Sequence, residues 1–169
     1  MSSFLFKYTR FHGVGMQCTE REQLLCDVAF TREFGFTLHS IGDGQCAIEV
    51  PFRAAFERPG GIVSGQVFKA AADVAMWLAI KTKLGIGDGS VSVEMKTNFL
   101  GSARKRSFRC TARLLKLGRQ LIYGSAECLD DEGKLLTHHT LTYIRVHQSD
   151  DGKSQNHERS TASVRSQNS

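Results

Sequence analysis

Apolar residues recur along this chain with two different periods, and the order in which those periods alternate predicts its elements. Over Thr19–Phe34, Leu24, Leu25, Val28 and Ala29 fall at helical spacing, with Thr19 as N-cap and Glu20 and Glu22 in the first turn. Phe36–Ile41 and Gln45–Phe52 read as strands joined by Gly42-Asp43-Gly44, a strong hairpin signal. Beyond the break at Pro59-Gly60-Gly61, the segment from about Gly65 to Leu84 is rich in Ala and Leu. It predicts a long helix, ended by Gly85 and Gly87. Strand-like runs follow over Ser90–Leu100, Ser107–Lys116, Gln120–Leu129 and Lys134–Val146, separated by turn signals at Gly101-Ser102, Leu117-Gly118 and Asp130-Asp131-Glu132-Gly133. In the second of these runs Phe108, Cys110, Ala112 and Leu114 alternate with Arg109, Thr111, Arg113 and Leu115, so one sheet face is buried and the other wet.

Short connections predict that the last four strands form a meander. Such a sheet must cover its apolar face, and the long helix is the only element large enough, which gives an α+β fold class. Val67, Ala70, Ala71, Val74, Leu78 and Ala79 occupy one side of that helix. Gln66, Lys69, Asp73, Met76, Trp77 and Ile80 occupy the other. A solvated face would not gather Trp77, Met76 and Ile80, so this second side is expected to meet a partner subunit, with Asp73 at or near the interface.

A chain of 169 residues is expected to form one domain, large enough to bury about two-thirds of its unfolded surface without disulfide or metal. No apolar run approaches the roughly 20 residues of a membrane span. Met1–Gly15 mixes aromatics with Lys7 and Arg10 and carries no secretory pattern, so a soluble, cytoplasmic protein is expected. The organisation read from composition is an N-terminal extension over 1–18, a folded domain over 19–147 and a disordered polar tail over 148–169. The tail's charges balance, so the net charge of +5 belongs to the domain. Cys18, Cys26, Cys46, Cys110 and Cys128 lack metal-ligand spacing and read as reduced thiols, and no histidine has ligand spacing. Neither a metal nor a cofactor is expected.

Three features could carry chemistry. Asp73 has Trp77, Met76 and Ala72 as neighbours, and partial loss of solvent makes a carboxylate a better base. The plain alternative is a surface carboxylate paired with Lys69. The approach Arg58-Pro59-Gly60-Gly61-Ile62-Val63-Ser64-Gly65 brings free backbone N–H groups to a helix N-terminus, where an anion or developing oxyanion can sit. Its plain alternative is a loop with Ser64 as N-cap. Finally, no acid lies between Met95 and Ala126, while Lys96, Arg104, Lys105, Arg106, Arg109, Arg113, Lys116 and Arg119 all do. A nucleic-acid path needs interleaved aromatics, and only Phe108 is near, on the buried parity, which weighs against nucleic acid as a partner.

Gly60-Gly61-Ile62-Val63-Ser64-Gly65, helix residue Asp73 and Ser92-Val93-Glu94-Met95-Lys96-Thr97-Asn98-Phe99-Leu100 together resemble the hotdog-fold acyl-CoA thioesterases. The nearest group is the PaaI-type branch of the 4-hydroxybenzoyl-CoA thioesterase superfamily. Gly35-Phe36-Thr37-Leu38, Asp43-Gly44, Leu117-Gly118-Arg119 and Leu141-Thr142-Tyr143 extend the resemblance from about Glu33 to Ile144. It implies a hotdog fold, an antiparallel sheet wrapped around one long central helix. It also implies homodimers or homotetramers with active sites at the subunit interface, hydrolysing a fatty or aromatic acyl-CoA. Asp73 then stands for the family's general base or nucleophile and Gly65 N–H for its oxyanion donor. Ser92 stands for a hydroxyl that places the attacking water, across the subunit boundary from Gly65. Ser64 replaces a family His and Arg58 a family Asn or other polar residue, so a non-catalytic acyl-CoA-binding protein is the alternative. Because CoA carries phosphates, Arg104, Lys105, Arg106 and Arg119 are expected to cradle it, with Arg58, Gln66 and Trp77 completing the substrate-binding set. Nothing basic follows Asp73 until Lys81, unlike the Asp-x-x-x-x-His of hotdog hydratases.

Overall fold

The computed structural model describes Leu25 and residues 28–146. The expected extension over 1–18, the expected N-cap Thr19 with the first turn of its helix, the expected tail over 148–169 and Cys18 and Cys26 all lie outside the described residues.

Helix α1 (Ala29–Phe34) stops at Gly35, whose φ of 66° lets its N–H reach back to Thr31 O and Arg32 O. Strands β1 (Thr37–Gly42) and β2 (Gln45–Val50) form the expected hairpin. At its turn Gly44 adopts a φ of 75° and donates its N–H to Thr82 Oγ1 at 2.7 Å, tying the hairpin to the long helix. A short hairpin, β3 (Glu57–Arg58) and β4 (Ile62–Val63), delivers the chain into helix α2 (Gly65–Leu84). Strands β5 (Val91–Phe99), β6 (Phe108–Leu117), β7 (Leu121–Leu129) and β8 (Leu135–Ile144) follow.

The sheet has six antiparallel strands in the order β1-β2-β6-β7-β8-β5. This corrects the expected meander of four. Only β6, β7 and β8 meander, while β5 lies beside β8 at the sheet edge and β6 pairs with β2. The connection over 100–107 can reach roughly 26 Å fully extended. That exceeds the roughly 14 Å of three strand spacings, so its shortness did not force β5 and β6 together. Its path is pinned where Leu100 and Gly101 N–H both donate to Leu136 O at 2.9 Å and where Ala103 O accepts from Val63 N–H at 3.0 Å.

Helix α2 lies in the concave face of this sheet, with Phe68 stacked on Phe108 at 4.4 Å between ring centres. Met76 and Ile80, expected at a partner interface, are instead 1% exposed within the single chain. The reason is curvature. Register shifts at Leu38/Ser40, Ser92/Glu94 and Leu114/Lys116 bend the strands around the helix and bury most of its circumference. What stays open is a stripe of Gln66, Lys69, Ala70, Asp73 and Trp77.

On the sheet's outer face Arg109 Nε donates to Glu49 Oε1 at 2.6 Å. Cys46, Cys110 and Cys128 are buried in the core. His138 and His139 point to opposite faces, and His139 is fully buried with Thr97 Oγ1 at 3.0 Å and Thr137 Oγ1 at 2.8 Å. Among the described residues no helix is long and apolar enough to cross a membrane.

Candidate active site

The start of α2 is fixed from both sides. Ser64 N–H donates to Phe56 O at 2.8 Å, and Ser64 Oγ accepts from Gln66 N–H at 3.4 Å, so Ser64 is the helix N-cap. Gly65, the first helical residue, lies so close to the edge strand that a Cβ there would sit 2.9 Å from Phe99 Cε1. Its amide belongs to the first turn, whose N–H groups no helix carbonyl can reach, and it lies at the positive end of the helix dipole. Arg58, Ser64, Gly65, Gln66, Lys69 and Phe99 line a cleft of about 500 Å³ at this end, with Ile62, Val63 and Phe68 as its apolar wall.

A second cleft, of about 380 Å³, opens further along the same stripe. Asp73, Ser92, Met95, Phe30 and Phe34 line it, and Gln66 and Lys69 belong to both clefts. Asp73 Oδ1 accepts a hydrogen bond from Tyr143 Oη at 2.5 Å, and the same hydroxyl lies 3.0 Å from Asp73 O. Tyr143 is 3% exposed, and burial first, then the negative charge of Asp73, push its phenol well above the ordinary tyrosine range. The tyrosine sits on β8 in register with Ser92 of β5 on one side and Ile122 of β7 on the other.

The expected residues do not all converge. Asp73 and Ser92 share the second cleft, whereas Arg58, Ser64 and Gly65 belong to the first. Among the described residues no ion pair joins Asp73 to Lys69 or to Arg58, so the carboxylate's partner is the phenol and not a surface lysine. Gly65 and Asp73 are eight residues apart. That is roughly 12 Å along a helix axis, too far for both to act on one carbonyl within a single chain. Trp77 lies one turn beyond Asp73 and lines neither cleft. Its ring carries Lys81 Nζ at 4.9 Å. That ammonium donates to Ile86 O at 2.6 Å and Asp88 O at 3.0 Å, and burial lowers its pKa.

Of the basic residues, Arg104 Nη1 donates to Gly60 O at 2.9 Å and so holds the loop that enters the helix. Arg106 pairs with Glu132 at 2.8 Å, and Lys105 adopts a left-handed backbone with φ 49°. Arg119 lies in the β6–β7 turn, at the end of the strands where Leu121, Ile144 and Val91 align. Arg104–Arg106 lie at the other end, where Phe99 faces Thr137, so the four cations form no single cradle within one chain. The Tyr143–Asp73 contact was missed from the sequence. Its only signal was a phenol at a buried position of β8, where a hydroxyl needs a partner.

The thioesterase superfamily model matches residues 60–137, from the loop before α2 into β8. A protein of Saccharolobus solfataricus, assigned as an esterase by name alone, is 33% identical over 92 residues. That alignment covers 54% of this chain and 65% of the relative, just under two thirds of the relative's length. A conserved protein of Pseudomonas aeruginosa is 29% identical in sequence and superposes with a TM-score of 0.67 over 70% of this chain and 94% of its own. A thioesterase of Haemophilus influenzae superposes at 0.73 over 82% of this chain and 96% of its own with 21% identity. The PaaI protein from the phenylacetic acid degradation operon of Escherichia coli superposes at 0.69 over 77% of this chain and 94% of its own with 16% identity. The last two likenesses establish the shared architecture of sheet and helix.

Proposed function

We propose that the chain is a member of the thioesterase superfamily and an acyl-CoA thioesterase of PaaI type whose active site is completed by a second copy of itself. The observation that carries this reading is the open stripe of α2. It holds two clefts with Gln66 and Lys69 in common, and Lys69 stands midway between Gly65 and Asp73. A two-fold axis beside Lys69 lays the helix start of one copy against Asp73 of the partner subunit, which removes the separation found within one chain. The edge strand supports the same axis. β5 contributes Phe99 to the first cleft and Ser92 and Met95 to the second, and Val91 and Val93 on it are 49% and 56% exposed. Antiparallel pairing of two β5 edges makes one continuous sheet and occupies its unpaired backbone groups. Such homodimers can pair again into homotetramers.

In the composite site the thioester carbonyl accepts from Gly65 N–H at the helix start. Asp73 of the other copy takes a proton from water held beside Ser92, and the water oxygen bonds to the carbonyl carbon. The negative charge gathers on the carbonyl oxygen under the amide. As it collapses, the C–S bond breaks and the proton on Asp73 passes to the departing sulfur, leaving a carboxylic acid and free CoA. Arg58 lines the first cleft and would meet CoA phosphates there, and Arg104, bonded to Gly60 O on the loop entering the helix, would be the nearest further cation, with Lys105 and Arg106 next to it in the chain. Phe30, Phe34 and Met95 give the acyl group an apolar wall.

The test is thiol release from acetyl-, hexanoyl-, palmitoyl-, benzoyl- and phenylacetyl-CoA by wild type and Asp73→Asn, with folding followed by circular dichroism. Turnover by wild type and its loss by at least about 100-fold in the variant is the expected result. Full turnover by Asp73→Asn would remove the mechanism. The use of Ser64 as a helix cap, at a position where the resembling family has a histidine, favours a second reading, an acyl-CoA-binding protein without hydrolysis. Saturable binding with no thiol release would identify it.

A further inference from the structure

We infer that Tyr143 is a positioning residue for Asp73, holding one carboxylate oxygen inside the protein so that the other faces the cleft. The inference rests on the thioesterase reading and adds to it a residue outside both clefts. Three observations carry it. The phenol hydroxyl lies 2.5 Å from Asp73 Oδ1 and 3.0 Å from Asp73 O, so side chain and backbone of the same residue are held by one group. The residue is 3% exposed on the inward face of β8, the face that also buries Leu141 two positions earlier. A buried phenol at such a position costs free energy unless its hydroxyl is bonded, so shape alone does not account for it. The tyrosine is also the register partner of Ser92, which lines the cleft with Asp73, so β8 and β5 set the carboxylate and the serine relative to each other.

The consequence is that the two carboxylate oxygens are no longer equivalent. A free aspartate on a helix surface samples several rotamers and presents either oxygen. With Oδ1 bonded to a phenol that burial and the neighbouring charge keep protonated, Asp73 keeps one rotamer and Oδ2 is the oxygen left for water. Such a role acts on the chemical step, through Asp73, and not on substrate affinity.

Tyr143→Phe removes one oxygen and leaves the ring. In the full-length protein, assayed with the best acyl-CoA of the panel, kcat is expected to fall about 10- to 100-fold with KM changed by less than about 2-fold. The decisive readout is the same substitution placed on Asp73→Asn. A residue that acts only through Asp73 adds no further loss there, whereas a residue that touches substrate or merely supports the fold lowers the residual rate by the same factor in both backgrounds. Undiminished kcat in Tyr143→Phe, or equal losses in the two backgrounds, would overturn the inference while leaving the thioesterase reading in place. So would a Tyr143→Phe protein that fails to fold, because the phenol would then serve the fold and not Asp73. Absence of thiol release by the wild type on every substrate would overturn both together.

Discussion

At the scale of single residues, the amide of Gly65 can be separated from the space around it. Gly65→Ala keeps the N–H and adds a Cβ that meets Phe99 Cε1 at 2.9 Å, but Phe99 is 54% exposed and its ring can turn away. Gly65→Pro adds the same carbon and deletes the N–H. Proline suits the first helical position, and Ser64, extended at ψ 138°, tolerates a following proline. Both variants are expected to fold, with turnover in Gly65→Pro about 100-fold or more below Gly65→Ala, the usual effect of losing one oxyanion donor. Equal turnover in the two would remove the amide from the mechanism. The positions of Gly65 at the start of α2 and of Asp73 on its open stripe were legible in the sequence because their signals are local: a glycine-rich entry to a helix, and a carboxylate among apolar helix neighbours. Tyr143 was not, because its contact with Asp73 spans 70 positions and exists only once β8 lies beneath α2. Arg119 was placed with Arg104–Arg106 for the converse reason. Nearness in sequence along β6 becomes distance across the sheet.

Among the elements, α2 bears the most constraint, and two substitutions test how it is held. Where the sheet crosses it, Gly124 lies under Met76, and a Cβ at Gly124 would come within 2.6 Å of Arg113 O. Gly124→Ala is therefore expected to lower stability by about 1–3 kcal/mol in urea or thermal unfolding. An unchanged midpoint would contradict so close an approach of helix and sheet. At the other end of the helix, Lys81 is 4% exposed and binds two loop carbonyls, Ile86 O and Asp88 O. Burial holds its pKa below the ordinary 10.5, with Asp88 opposing the shift. The folded state therefore releases this proton before the unfolded state does, so the group adds stability as pH rises towards 10.5. Lys81→Met should lose that alkaline rise relative to wild type, and should be less stable at neutral pH because two carbonyls lose their donor. A parallel pH profile in the two proteins would exclude the linkage. The bounds of α2 and the β1–β2 hairpin followed from local punctuation by glycine and from period. The position of β5 did not, since strand order is decided by long-range pairing. The depth of Met76 and Ile80 did not either, because a helical wheel does not show how far a sheet will curl.

For the whole molecule, the question is whether one catalytic site draws on two chains. Within one chain Gly65 and Asp73 stand roughly 12 Å apart along the helix, and each opens into its own cleft. A dimer about an axis near Lys69 would contain two sites, each with Gly65 from one copy and Asp73 from the other. This arrangement predicts complementation. Asp73→Asn homodimers and Gly65→Pro homodimers both lack an intact site. In a random one-to-one mixture of co-expressed chains about half of the dimers are mixed, and each mixed dimer holds one site with both groups native and one with neither. The mixture should recover about a quarter of wild-type turnover, although each variant alone is nearly inactive. Were each site built from a single chain, every site in the mixed dimer would lack one group, and no activity would return. Recovery should also vanish if subunits are mixed only after folding and cannot exchange, which ties the gain to the shared interface and not to residual activity of either variant.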